Sequence, residues 1–172
     1  LMTGPARSLC YRLAVSTGLR YSEIKSVTPA SLNLASDVPT VSVSACYTKN
    51  GEHAVLPLPA DVASDLARFV ATMTSDAPIF PLPDKGPDML KVDLDAAGIP
   101  YRDASGRVFD FHSLRCQCAT LLDAAGVTPR VVQRLMRHSS LELTGLYTRP
   151  RAVDIDNASA MVPSLRPNTR DG

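Results

Sequence analysis

His112 and Arg115 stand three residues apart in a stretch that reads as helix, so they share one face and can point at one phosphate. An imidazole with an ordinary pKa of about 6.5 is suited to moving a proton near neutral pH, and a guanidinium presents a planar fork of donors to an anion. Taken singly, each has a bland reading: His-x-x-Arg arises by chance, and an arginine at a helix corner usually meets solvent or a carboxylate. Their order with other polar residues adds weight. Upstream lies Thr17-Gly18-Leu19-Arg20-Tyr21-Ser22-Glu23-Ile24, then Lys49 beside a turn, and downstream come Arg137-His138-Ser139-Ser140 and Leu146-Tyr147-Thr148.

The elements that must position these residues are legible in outline. Thr3-Gly4-Pro5, followed by Ala6, Leu9, Cys10, Leu13 and Ala14, predicts a helix with proline in its first turn, closed by Gly18. A shorter helix starts near Tyr21-Ser22 and stops before Thr28-Pro29, which puts Arg20 at the corner between the two. Alternation through Val41-Ser42-Val43-Ser44, then Asn50-Gly51 and Ala54-Val55-Leu56, predicts a β-hairpin with a tight Asn-Gly turn and Lys49 beside it. Residues 59–73 fit an amphipathic helix. Residues 77–87, with Pro78, Pro81, Pro83 and Pro87, read as loop, and helix resumes over 89–97. After an irregular 98–110, helices are expected over 112–125, ended by Gly126, and over 129–136. A short apolar stretch, 141–146, precedes Tyr147, and the tail from Pro150 is at best partly helical. The fold class is therefore mainly α with a small antiparallel β-hairpin or sheet (α+β), in one domain spanning 1–172.

Composition narrows the function classes. Hydrophobic residues make up 45% and charged residues 20% of the 172, an ordinary globular balance that excludes a disordered chain. The chain has no apolar run of membrane-spanning length and starts without a signal peptide, so a cytoplasmic protein is expected. Cys10, Cys46, Cys116 and Cys118 do not have the spacing of a secreted disulfide scaffold, and Cys116 and Cys118 lack the paired spacing of a zinc site. No metal and no cofactor is expected. The net charge of +1 is weak for a nucleic-acid partner, but between positions 107 and 151 seven arginines face only Asp110, Asp123 and Glu142.

In that combination of motifs the chain resembles the catalytic domain of the tyrosine recombinases, the phage integrase family. T-G-L-R-x-S-E, H-x-L-R and a tyrosine nine residues after His138 occur in the family's order, over roughly positions 9–148. The resemblance implies the tyrosine-recombinase catalytic-domain fold and a metal-independent, site-specific recombinase that cleaves and rejoins double-stranded DNA. It makes Tyr147 the nucleophile of a 3′-phosphotyrosyl bond and Arg20 and Arg115 the stabilisers of the pentavalent phosphorus. His112 becomes an acid–base group, His138 a hydrogen-bond donor, and Lys49 the acid that protonates the departing 5′-oxygen. Glu23 is expected to fix Arg20, and Arg137 to contact a DNA phosphate.

The chain departs from the family at two places: Cys116 stands where many members carry a second histidine, and Arg137 where they carry glycine. It also lacks the N-terminal helical DNA-binding domain usual in the family, so it is read as a C-terminal fragment with a tail over 150–172. The fragment is expected to be a monomer, and the full-length protein a tetramer on DNA. Competing readings are a type IB topoisomerase-like enzyme, which religates the same strand, a DNA-binding module that has lost cleavage, and an unrelated mainly α domain.

Overall fold

The computed structural model describes residues 2–48, 51–73, 76–84, 86–138 and 145. The first helix, α1 (Gly4–Thr17), starts where the Thr3 hydroxyl accepts from the Ala6 N–H and Pro5 occupies the first turn. It buries Leu9, Cys10, Leu13 and Ala14, the stripe its sequence spacing requires. It ends at Gly18, whose φ of 63° is the left-handed conformation that glycine adopts freely. Two residues later α2 (Tyr21–Lys25) begins, with Arg20 as its N-cap.

A three-stranded antiparallel sheet follows, in the order β1 (Leu32–Asn33), β2 (Thr40–Val43), β3 (Ala54–Pro57). Val41 pairs with Leu56 and Val43 with Ala54, and all four side chains turn into the core. The expected small antiparallel sheet is present, with β1 as a third strand that the sequence did not mark, and one expectation is corrected: β2 and β3 are not joined by a two-residue turn. The chain leaves β2 at Ser44 for a 3₁₀ turn, Ala45–Tyr47, after which the Thr48 hydroxyl donates 2.7 Å to the Glu52 carbonyl. These local bonds satisfy backbone groups that a tight hairpin would have paired across the strands. Gly51 is left-handed, with φ 68°.

Helix α3 (Ala60–Val70) and helix α4 (Gly86–Ala96) frame the proline-rich segment. The second starts earlier than expected, because a proline in the first helical turn does not interrupt the ladder. Helix α5 (Phe111–Ala124) opens with a capping box: Asp110 accepts from the Ser113 N–H at 3.0 Å, and the Ser113 hydroxyl accepts from the Asp110 N–H at 3.1 Å. Helix α6 (Pro129–Met136) ends at Arg137. The expected apolar stretch over 141–146 and the tail from 150 lie outside the described residues, apart from Gly145.

Helix α1 lies against α3 and α5, and α5 lies against α6. Leu13, Ile24, Leu66, Ile79 and Phe80 are sealed in the main core; burying each contributes on the order of 1.5–3 kcal/mol. A smaller cluster, Cys118, Ala119, Val132 and Met136, joins α5 to α6. Cys10 and Cys118 are buried free thiols, Cys116 is half-buried and Cys46 exposed. Among the described residues no helix is long and apolar enough to cross a membrane.

Candidate functional site

The corner between α1 and α2 exists because Gly18 can turn left-handed while Leu19 drops into the core at 1% exposure. Arg20 is thereby held at the N-terminus of α2. Glu23 fixes it there: its Oε2 accepts from the Arg20 main-chain N–H at 2.8 Å and its Oε1 from Arg20 Nη1 at 3.0 Å. The carboxylate has no exposed surface. Burial alone would raise its pKa, but the Arg20 N–H and the charge and hydrogen bond of Arg137 outweigh it, so the pKa lies below the usual carboxylate range.

Arg115 projects from α5 and is 3% exposed. Its Nη1 donates to the Gly18 carbonyl and its Nη2 to the Met136 carbonyl, so one guanidinium ties the end of α1 to the end of α6. The Met136 side chain lies on Gly18 so closely that a β-carbon there would fall 2.7 Å from its Sδ. Burial, and then the charges of Arg20 and Arg137, pull the Arg115 pKa down to about 10, which leaves it protonated at neutral pH.

Beyond α6 the chain turns left-handed at Arg137 (φ 53°, ψ 44°), and His138 follows, within reach of the charges of Arg115 and His112 on α5. The His138 N–H donates 3.0 Å to the Gln133 carbonyl. Burial first, then the nearby charges of Arg115, Arg20 and His112, depress the His138 pKa to about 4. At neutral pH its imidazole is therefore uncharged and serves as a hydrogen-bond donor or acceptor. Arg137 reaches back to Glu23, Nη2 to Oε2 at 2.7 Å.

Arg20, His112 and Arg115 line one pocket of about 310 Å³, together with Leu19, Tyr21, Ser22 and Phe111. Helix α5 supplies His112 from its first turn, on the exposed side, and Arg115 one turn further in. The structure thus brings together Arg20, Glu23, His112, Arg115, Arg137 and His138 from three separate parts of the chain. Lys49 and Tyr147 lie outside the described residues. Sequence reasoning missed the two carbonyls that anchor Arg115 and the link from Arg137 to Glu23. Main-chain acceptors carry no residue signature, so only the αL requirement at Gly18 hinted at a special corner.

Arg20 and Arg115 at the pocket, with Arg137 on the carboxylate of Glu23, leave an excess of positive charge that suits an anion such as phosphate. Among the described residues there is no group of His, Cys, Asp and Glu that could hold a metal ion.

The chain is 26% identical over 149 residues to tyrosine recombinase XerA of Pyrococcus furiosus, covering 85% of this chain and 51% of that protein. It therefore spans about half the length of the curated relative it matches. The fold superposes on XerH site-specific recombinase bound to its difH substrate, in a pre-cleavage complex, with a TM-score of 0.68 at 20% identity, over 94% of this chain and 48% of the other. The catalytic domain of bacteriophage HP1 integrase matches with a TM-score of 0.64 at 17% identity, over 90% of this chain and 81% of that domain. These likenesses give the α-helical domain with its small sheet the fold of a tyrosine recombinase catalytic domain. The family model described as "Phage integrase family" matches residues 4–153, which takes in every residue of the pocket, and the chain belongs to that family.

Proposed function

We propose that this chain is the catalytic domain of a site-specific DNA recombinase that cleaves and rejoins strands of double-stranded DNA through a covalent 3′-phosphotyrosyl bond. The observation that carries the proposal is the gathering of Arg20, His112 and Arg115 around one pocket, with the neutral His138 close by. In this reading Tyr147 attacks the scissile phosphorus, the bond to the 5′-oxygen breaks, and Lys49 supplies the proton that the departing oxygen needs. His112 takes or relays the tyrosine proton. The phosphorane carries more negative charge than the phosphodiester, and the fixed guanidiniums of Arg20 and Arg115 stabilise that added charge. His138, uncharged, donates one hydrogen bond to a nonbridging oxygen. The covalent bond conserves the energy of the phosphodiester, so the reaction needs no nucleotide cofactor and is expected to run in the presence of a chelator.

The partner is DNA, and the whole protein is proposed to act as a tetramer on it, with an N-terminal DNA-binding domain beside this one. The experiment is covalent trapping. The protein and a Tyr147→Phe variant are incubated in EDTA at low salt with a pool of nicked suicide duplexes and resolved on a denaturing gel. A protein–DNA adduct absent from the Phe variant is expected. No adduct, even from a longer version that binds DNA, would overturn the enzyme reading in favour of a binding module. An adduct that relaxes supercoiled DNA but never exchanges strands would favour the topoisomerase-like alternative.

A further inference from the structure

The Glu23 carboxylate, fully buried, is the meeting point of two arginines: Oε2 is shared by the Arg20 main-chain N–H and Arg137 Nη2, and Oε1 takes Arg20 Nη1. Arg137 reaches it from a left-handed backbone that glycine adopts freely and an L side chain adopts at a steric cost. Its remaining Nε and Nη1 are buried and have no hydrogen-bond partner among the described residues, a second cost. A glycine at 137 would avoid both penalties. What the arginine adds is a second positive charge at Glu23.

That charge matters to Arg20. Paired with Glu23 alone, Arg20 would form a neutral couple, and an incoming phosphate would have to compete with the carboxylate for it. With Arg137 the group of three carries one positive charge, and Arg115 beside it brings the excess to two. A phosphodiester carries one negative charge and gains another as it becomes a phosphorane. The buried positions of Nε and Nη1 turn Arg137 toward the carboxylate rather than toward an incoming anion.

We propose that Arg137 is a positioning residue that acts through Glu23: by sharing the carboxylate, it leaves Arg20 fixed in place yet free to use its charge on a phosphate. This deepens the DNA-cleavage reading and rests on it for the identity of the phosphate, but its test uses no cleavage. The affinity of the full chain for inorganic phosphate is measured by calorimetric titration for the wild type, Arg137→Gly, Arg137→Lys, Glu23→Gln and the Glu23→Gln/Arg137→Gly double variant. A thermal melt of each verifies folding. Arg137→Gly is expected to weaken phosphate binding about tenfold and Arg137→Lys to restore most of it, on the scale of one hydrogen bond to a charged group. In the Glu23→Gln background the same change is expected to have little effect, because no carboxylate remains to compete for Arg20. Arg20→Gln provides a second background with the same expectation should Glu23→Gln fail to fold. Equal losses in all backgrounds would make Arg137 a direct phosphate ligand and overturn the proposal. No loss in any background would overturn it too, as would a wild type with no saturable phosphate binding. A successful cycle without a covalent adduct would sink only the recombinase reading, whereas an adduct with a failed cycle would sink only the role of Arg137.

Discussion

Arg115 joins two distant parts of the chain through one side chain. Its two Nη groups occupy the carbonyls of Gly18 and Met136, so a lysine, with one compact ammonium, cannot span both. Leaving a buried carbonyl without a donor costs about 1–3 kcal/mol, and Arg115→Lys is expected to lower the unfolding free energy by that amount in urea melts. His138 makes a different prediction. Its depressed pKa means that the folded chain favours the neutral ring. The contribution of this group to stability is therefore complete above the ordinary histidine pKa of about 6.5 and is lost as pH falls toward about 4. The lowered pKa of Glu23 has the same sign, with stability present above the usual carboxylate range and lost on acidification. An NMR titration should place the His138 midpoint near 4, and Arg20→Gln should move it upward by removing a nearby positive charge. A midpoint near 6.5 in the wild type would contradict the site as described.

At the scale of elements, the corner that carries Arg20 depends on Gly18. An alanine there meets both the left-handed backbone penalty, about 1–2 kcal/mol, and the close approach of Met136. Gly18→Ala is expected to destabilise by about 2–4 kcal/mol, whereas in a Met136→Ala background the further loss should shrink to the backbone part. Denaturant unfolding of the four proteins in this cycle checks both numbers. The helices around this corner were legible because their apolar spacing and their end signals agree: Thr3 and Gly18 stand where α1 begins and ends, whereas the Asp110 cap that starts α5 at Phe111 emerged only from the structure. Strand β1 was not legible, since two residues cannot display a period. The long passage from β2 to β3 was hidden for another reason: Asn50-Gly51 carries the signal of a tight turn, and the competing bonds of Ser44 and Thr48 become visible only in three dimensions. The left-handed Arg137 was equally hidden, because sequence rules assign that conformation to glycine and asparagine.

For the molecule as a whole, the net charge of +1 conceals an uneven surface. Arg130 and Arg134 are exposed on one face of α6 and, with Arg137, line a groove of about 730 Å³ against β3. Neither forms an ion pair among the described residues. If the groove follows a DNA backbone, replacing both with alanine should flatten the log–log dependence of duplex affinity on salt by roughly 2, at about 0.9 per phosphate contact. Fluorescence anisotropy between 50 and 200 mM salt, the range over which such contacts weaken, reads this directly. An unchanged slope would place the groove away from the DNA.

The acceptors that hold Arg115 are main-chain oxygens, and every residue that can occupy position 136 offers the same one. Substitution at Met136 alters the packing on Gly18 but leaves the carbonyl in place. The joint between the two ends of the site is therefore encoded chiefly by its donor. Mutational drift can rewrite the lining around it while the joint persists, and a library randomised at position 136 should retain far more folded members than one randomised at position 115.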